Sequence, residues 1–190
     1  FRTITYRKYK TLWSKTDMSN LRLINETTAS SVSSLSITDI FSADFDIYKI
    51  TLTDYDNLGS SNGLNFRFVN ASGSIITASD YDHASQIIRS YSAFGEDNSA
   101  TASSISTISY DDTLQKSNGS VAYIFNPFNS SSYTFALWQN SSASTIGTVG
   151  RKGIALLHQT NSITGINFIP NSSSNFSINS VKVYGLRVDS

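Results

Sequence analysis

Residues 47–54 read IYKITLTD and residues 63–70 read GLNFRFVN, and these two stretches decide the fold class. In each of them an apolar or aromatic residue stands at every second position, with polar or charged residues between. The residues predicted to point inward are Tyr48, Ile50 and Leu52 in the first stretch and Leu64, Phe66 and Phe68 in the second. A period of two is that of a β-strand with one face on a core and the other in water.

The same alternation runs through most of residues 21–190, between clusters of Ser, Asn and Gly that are typical of turns. It predicts nine or ten short strands, and hence an all-β fold, an antiparallel β-sandwich of jelly-roll type. In two later strands the residues predicted to point inward are Val121, Tyr123 and Phe125, followed by Tyr133, Phe135 and Leu137. The stretch from Phe94 to Ser109 has the weakest pattern, so we expect it to be the longest loop.

The composition excludes a helical protein and several kinds of catalytic site. Ser, Thr and Asn number 36, 18 and 16 among 190 residues, whereas the helix former Glu occurs only twice. With no cysteine, thiol catalysis, Cys-bound zinc and disulfides are excluded. His83 and His158 match no metal-binding spacing, so we predict neither a metal nor a cofactor. No apolar run reaches the roughly 18–20 residues of a membrane span, so a membrane is not expected as a partner. The first residue is Phe1 rather than Met, and we expect a segment before it.

Three Asp-x-Asp triplets are the main candidates for chemistry: Asp44/Asp46, Asp54/Asp56 and Asp80/Asp82. Two carboxylates on one face of a strand suit calcium, but none of the triplets has the loop that supplies calcium's other oxygens. Aspartate also opens turns, which is the interpretation we favour over calcium. No nucleophile elbow occurs, and neither glutamate lies in a motif typical of glycosidases. We therefore predict that the protein is not an enzyme.

Aromatic residues near turns and acids indicate a sugar-binding site. Trp138 is out of phase with the predicted inward set of its strand, while Tyr81 and Tyr91 accompany acids or turns. Flat rings beside hydrogen-bonding groups bind glycans in sandwich domains. The predicted site consists of Trp138, Tyr81 and Tyr91 as stacking surfaces, with Asp82 as a hydrogen-bonding group. The alternative is that Trp138 packs on a second covered face.

Residues 1–20 form a basic, aromatic arm before the predicted sandwich of residues 21–190. The residues predicted to dock it on a partner protein are Arg2, Tyr6, Arg7, Lys8, Tyr9, Lys10 and Trp13. The alternative is an ordinary first strand with solvated cations. Nucleic acid is not expected as a partner, because residues 21–190 carry no further basic stripe.

Several segments of residues 21–190 resemble a β-sandwich domain of marine bacteriophage structural proteins, the tail-fibre and virion-appendage proteins of cyanophages. One matching run extends from Phe41 to Ile50, and another includes Leu64, Arg67 and Phe68. The most distinctive run extends from Gly165 to Leu186, although Ser174 and Ser180 stand where the family usually has glycine.

The resemblance implies a non-catalytic virion protein, located in the virion, that contacts other virion proteins. It implies a tail-fibre or appendage domain that contributes to host attachment, with a host surface polysaccharide as a candidate ligand. A capsid decoration protein, a baseplate adaptor and, less favoured, a carbohydrate-active enzyme are the alternatives. Apolar strand faces together with the fibre resemblance predict a homo-oligomer, with a trimer favoured.

Overall fold

A computed structural model describes residues 20–58, 62–111 and 118–186, and the residues predicted to form the docking arm lie outside them. The described chain is all-β, as predicted, and forms a sandwich of two antiparallel sheets. In this part of the chain no helix has the length and apolar character needed to cross a membrane. The twelve strands are β1 (Leu21–Val32), β2 (Leu35–Ile37), β3 (Ile47–Asn57), β4 (Asn62–Asn70), β5 (Tyr81–Arg89), β6 (Gly95–Ala102), β7 (Ile105–Asp111), β8 (Gly119–Phe125), β9 (Thr134–Ser144), β10 (Gly147–Leu157), β11 (Ile163–Pro170) and β12 (Phe176–Leu186).

The two sheets differ in width. The larger has eight strands in the order β1-β12-β3-β8-β9-β10-β5-β6, and the smaller has four in the order β2-β11-β4-β7. Antiparallel pairs are nested along the chain: β1 pairs with β12, β2 with β11, β3 with β8, β4 with β7 and β5 with β6. Successive nested pairs lie in alternate sheets, as if one long hairpin were rolled up. The β9–β10 hairpin is inserted between β8 and β5 and widens the larger sheet.

The core lies between the sheets and is dominated by aromatic side chains. The largest fully buried side chains include Tyr48, Tyr55, Tyr81, Phe66, Phe68, Phe168 and Phe176. Each buried tyrosine hydroxyl has a hydrogen-bond partner, as burial requires. Tyr48, for example, donates to the Ser42 carbonyl oxygen at 2.9 Å and accepts from the Ser42 amide at 2.7 Å.

The predicted inward residues are confirmed in β3 and β4 and wrong in β8 and β9. Tyr48, Ile50, Leu52, Leu64, Phe66 and Phe68 are all buried. In β8 and β9, however, the small residues Ala122 and Ala136 point inward with Ile124 and Trp138. The outward residues are Val121, Tyr123 and Phe125 in β8 and Phe135 and Leu137 in β9, and Tyr133 lies just before β9 and is exposed.

The predicted loop from Phe94 to Ser109 is also wrong, because this stretch forms β6 and most of β7. Strand β6 is rich in small and polar residues and is held by pairing with β5. Strand β7 pairs with β4 and also buries Ile105 and Ile108 in the core. Strand β7 lies over β9, and its Thr107 and Ile108 carbonyl oxygens accept hydrogen bonds from Asn140 Nδ2 at 3.0 and 3.2 Å.

Candidate functional site

Two rows of apolar side chains cross the face of the eight-stranded sheet that points away from the smaller sheet. Strand pairing aligns them from β1 to β10, on two successive outward positions. The first row contains Leu21, Leu186, Ile47, Phe125, Phe135 and Leu156. The second row contains Leu23, Tyr184, Lys49, Tyr123, Leu137 and Ile154. We call these twelve residues the apolar outer face.

The apolar outer face is unusually exposed for large side chains. Ile154 exposes 59% of its surface, Leu23 exposes 49%, and Phe135 and Leu137 expose 44% each. At about 200 Å² for a large side chain, the six most exposed members contribute on the order of 500 Å², before the half-buried members are added. The largest apolar patch of a typical monomer is about 300–600 Å² and is often functional. The face is therefore a candidate interaction surface.

A groove of about 900 Å³ lies over β8, β9, β10, β5 and β6 and includes part of this face. Tyr123, Leu137 and Ile154 line one side of it, and Gln86 and Glu96 line the other. A second hollow of about 470 Å³ continues the groove along Phe125, Phe135 and Leu156. The second hollow is lined almost entirely by apolar residues, whereas the lining of the first also includes Asn98, Gln139 and Lys152. The apolar part suits side chains of a protein partner better than hydroxyl groups.

Charged groups stand at the margins of the apolar outer face. At one margin His158 Nε2 lies 3.2 Å from Asp82 Oδ2, and the His158 ring lies 5.5 Å from that of Tyr133. At the opposite edge of the sheet Lys182 Nζ lies 3.2 Å from Glu26 Oε1. Apart from Lys49, no member of the two rows is charged. An apolar centre with a polar rim is the usual anatomy of a protein–protein interface.

The opposite face of the same strands is built from small residues around Trp138. The indole packs under Gly153, where a Cβ atom would lie only 2.2 Å from the ring. Its Nε1 donates to the Thr107 carbonyl oxygen at 3.2 Å. Thr107 has a φ of 50°, which is rare for a β-branched residue, and its amide donates to Asn65 Oδ1 at 2.9 Å. These contacts hold Trp138 inward, so its neighbours Leu137 and Gln139 point outward.

A polar cluster joins β5, β6, β7 and β10 on this inner side. Arg151 Nη1 lies 2.8 Å from Asp97 Oδ2, and the Ser106 hydroxyl donates to the same oxygen at 3.0 Å. Burial by itself would raise the pKa of Asp97, but the hydrogen bonds from Ser106 and Arg151 and the charge of Arg151 outweigh it and lower the pKa. Burial lowers the pKa of the nearby His83. The charged groups of the cluster interact with one another, and they stabilise this end of the sandwich.

The predicted glycan site is not assembled. Trp138 and Tyr81, predicted as stacking surfaces, are 2% and 0% exposed and belong to the core, so that prediction is wrong for both. Trp138 is buried because the inward and outward positions of β9 are the reverse of those predicted. Phe135 and Leu137, rather than Trp138, take the outward positions. Tyr81 is buried because its hydroxyl satisfies two backbone groups. It accepts from the Phe68 amide and donates to the Ile76 carbonyl oxygen, each at 3.0 Å.

The other two predicted ligand-binding residues lie far apart. Asp82 lies near the start of β5, where it pairs with His158 at the margin of the apolar outer face. Tyr91 follows the end of β5, is 38% exposed, and lies near Gly147 of the β9–β10 turn. The strand between them is extended as far as Arg89, which places Asp82 and Arg89 about 23 Å apart. Asp82 and Tyr91 therefore do not contribute to one site.

The three Asp-x-Asp triplets do not form a metal site with other acids or histidines. Within residues 20–58, 62–111 and 118–186, no three His, Asp or Glu side chains converge. Asp54 and Asp56 lie within the last four residues of β3, and Asp54 has a left-handed φ of 55°. Asp80 accepts a hydrogen bond from the Gln159 side chain, which links the start of β5 to the segment after β10.

The apolar outer face was not predicted from the sequence, although the sequence contains a signal for it. The runs YIF at 123–125, FALW at 135–138 and IALL at 154–157 are apolar at both the odd and the even positions. A strand that is apolar on both faces is typical of one that is covered on both. In FALW and IALL the large apolar residues alternate with alanine, so the period of two by itself favours the large residues as the core set.

Comparisons with known proteins add little to this geometry. No family model matches the chain, and no curated protein matches it. Among solved structures, the chain is similar to one described as the structure of infectious bursal disease virus Gx strain, with 9% identity and a TM-score of 0.12. The match covers 87% of this chain and 35% of that one. A TM-score of this size carries no argument about fold or function.

Proposed function

We propose that the protein is a non-catalytic structural subunit of a virion, and that it assembles through the apolar outer face. The observation that carries the proposal is the pair of apolar rows across six strands. Covering these rows would remove several exposed aromatic and aliphatic side chains from water, at about 25 cal/mol per Å² of apolar surface. A surface of that kind supports assembly with another protein.

The composition of the face favours assembly over sugar binding. A sugar-binding groove needs hydrogen-bond donors and acceptors that converge beside an exposed ring. Here Leu137 and Ile154 line both hollows and Leu156 lines the second, whereas polar residues such as Gln86, Glu96, Gln139 and Lys152 line only the first. An architectural role, such as that of a capsid decoration or appendage subunit, therefore fits better than recognition of a host polysaccharide.

The strand order supports a jelly-roll version of the sandwich. Nested antiparallel pairs that alternate between the two sheets are what rolling up one long hairpin produces, and this is the topology of two linked Greek keys. In this interpretation β1 and β12 extend one edge, and the β9–β10 hairpin is an insertion. The inserted hairpin contributes four of the twelve residues of the apolar outer face. The part that a simple jelly roll lacks is therefore part of the proposed assembly surface.

The virion assignment rests on the resemblance to cyanophage appendage proteins, and the arm of residues 1–20 is proposed to attach the subunit to another virion protein. The test is to purify particles from the source of the sequence on a density gradient and to probe them with antibodies raised against the protein. We expect the chain in a constant ratio to the major capsid protein, with immunogold labels at one location. If the chain is expressed but absent from particles, the virion role is wrong.

A second experiment tests the non-catalytic part of the proposal. Host surface polysaccharide is incubated with the protein and with an Asp82→Asn variant, and soluble oligosaccharide is measured over time. We expect no release by either protein. Release by the wild type that the variant abolishes would reveal an enzyme with an acid at the margin of the groove.

A further inference from the structure

We propose that the apolar outer face packs against the same face of a second copy of the chain, about a two-fold axis that lies between the two rows. This inference rests on the proposed function in one respect, namely that this face is an assembly surface. It goes further by naming the partner and the symmetry. The area of the face, its self-complementary rows and its balanced rim charges support it.

The area matches what a stable pair requires. The six most exposed members contribute on the order of 500 Å², and the half-buried members and the rim lie on the same surface. A standard interface buries about 800 Å² on each partner. Six strands spaced about 4.8 Å apart give the face a width near 25 Å. Two such faces in contact therefore reach the size of an ordinary dimer interface.

The two rows carry matching residue types at corresponding strands. Phe125 stands beside Tyr123 on β8, and Leu156 stands beside Ile154 on β10. A two-fold axis between the rows and across the strands exchanges them, so that the first row of one copy lies over the second row of the other. Large apolar side chains then meet large apolar side chains on five of the six strands, and on β3 Lys49 of each copy lies over Ile47 of the other. This is the self-complementarity that a two-fold interface needs.

The charges favour a neutral partner. Lys49, Lys152 and Lys182 lie on this side of the sheet with Glu26, Asp82 and Glu96, so three positive side chains balance three negative ones. Such a rim offers no net attraction for a strongly acidic or basic surface. Lys49, the one charge inside the rows, has a long apolar stem that can lie along the contact while its ammonium reaches the edge.

The face geometry favours a pair over the trimer predicted from the sequence. Two sheets that pack face to face do so at about −30°, with their inner side chains interdigitated. A three-fold assembly instead needs two different surfaces on each chain. A single self-complementary face can contact only one other copy, which gives a dimer.

The first experiment measures the mass of the full chain by sedimentation velocity and native mass spectrometry over a range of concentrations. It compares the wild type with Ile154→Glu, and with Ile146→Glu as a matched control. Ile146 lies in the turn of the same hairpin, away from the two rows, and is even more exposed at 68%. We expect a wild-type dimer that Ile154→Glu weakens more than about 100-fold, because it buries a charge in each copy. We expect Ile146→Glu to leave the dimer unchanged.

The second experiment keeps the inference testable if Ile154→Glu does not fold, which circular dichroism would reveal. The chain has no cysteine, so Leu137→Cys introduces one thiol in the middle of the face and Ile146→Cys one outside it. A short bismaleimide should link two copies of the Leu137→Cys chain and leave Ile146→Cys unlinked.

A monomer at all concentrations, a trimer, a dimer insensitive to Ile154→Glu, or equal cross-linking of both cysteine variants would overturn the inference. These failures leave the proposed function standing if the chain is found in purified particles. A dimer that meets every expectation but is absent from particles would support the inference and remove the virion role. The two proposals can thus fail separately.

Discussion

The two faces of strands β8, β9 and β10 differ in a way that side-chain size alone does not predict. The inner face carries Ala122, Ala136, Gly153 and Ala155 around Trp138, with Ile124 and Leu157 nearer the strand ends. The outer face carries aromatic and long aliphatic side chains at the adjacent positions, and much of their surface is exposed. What covers a strand, rather than the size of its side chains, decides which face belongs to the core.

The smaller sheet explains the small residues on the inner face. It contributes Phe66, Phe68 and Phe168 to the same core as Trp138. Stacked sheets lie about 10 Å apart, and their interiors are filled to the density of organic crystals. With large rings from one side and an indole from the other, only Ala and Gly fit between them. The outer face has no such limit within the described chain.

Trp138→Ala should have the largest effect, because it removes the largest side chain of the inner face. We expect a loss of about 3–5 kcal/mol in the free energy of unfolding, the usual cost of truncating a buried aromatic residue. The matched variant is Phe135→Ala on the outer face of the same strand, which should cost less than about 1 kcal/mol in the monomer. Urea unfolding at a concentration where both variants are monomeric measures the difference. Equal losses would mean that the two faces are not distinct.

Gly153→Ala should be the next most harmful change. The added methyl group would lie within 2.6 Å of three atoms of the Trp138 ring, so the indole must move. We expect a loss of about 1–3 kcal/mol, as in other overpacked cores. Gly119→Ala is the control, since a Cβ atom there meets nothing within 4 Å, and it should stay within about 0.5 kcal/mol of the wild type.

A double-mutant cycle sharpens the Gly153 prediction. In a Trp138→Ala background the clash is gone, so Gly153→Ala should cost much less than it does alone. If the cost of Gly153→Ala is the same in both backgrounds, the close approach of Gly153 and Trp138 is not its cause.

Tyr81→Phe tests whether Tyr81 belongs to the core rather than to a binding surface. Removal of the hydroxyl leaves the Phe68 amide and the Ile76 carbonyl group buried without their partner. We expect a loss of about 1–2 kcal/mol in the free energy of unfolding. Tyr91→Phe, at the exposed end of β5, should have no measurable effect. Burial raises the pKa of Tyr81 to about 12, so the absorbance of its phenolate should not appear below about pH 11.

A fall in pH should cause the smallest of the predicted losses of stability. It acts on the polar cluster that joins β5, β6, β7 and β10. The pKa of His83 is lowered from its ordinary value of 6.5, chiefly by burial, so the folded state favours the neutral ring. The unfolded chain then binds a proton first, and stability is lost as the pH falls below about 6.5. The pKa of Asp97 is also lowered, so its contribution is present above 3.8 and is lost as the pH falls through the folded value.

The measurement is the urea midpoint between about pH 8 and pH 3. We expect a gradual decline that begins near about pH 6.5 and a steeper one below about pH 4. His83→Gln should make the urea midpoint less dependent on pH between about pH 6.5 and pH 4. Asp97→Asn should make it less dependent on pH below about pH 4, and it should also lower the overall stability. A midpoint that stays constant down to about pH 4 in the wild type would contradict the role of His83.

The sequence predicted those parts of the fold in which only one phase of a strand is apolar. In β3 the positions between the inward residues hold Lys49, Thr51 and Thr53, so only one orientation places apolar side chains in the core. In β9 both Phe135 and Trp138 are apolar, and the period of two does not distinguish their faces. The glycan prediction failed because it depended on that choice. Strand β6 has few apolar residues to give a pattern. In β7 the buried residues Ile105 and Ile108 are three positions apart, with Thr107 at a φ of 50° between them, so a period of two does not identify the strand.

By itself the sequence determined the all-β class and the absence of cysteine chemistry, because these follow from composition and from the alternation of neighbouring residues in the chain. Only the tertiary structure decided which strands pair, as between β1 and β12 or β3 and β8, since these partners are far apart in the chain. It also decided that Trp138 is buried and Leu137 exposed. That choice depends on side chains of the other sheet and on the hydrogen bond to Thr107, and both come from residues distant in sequence.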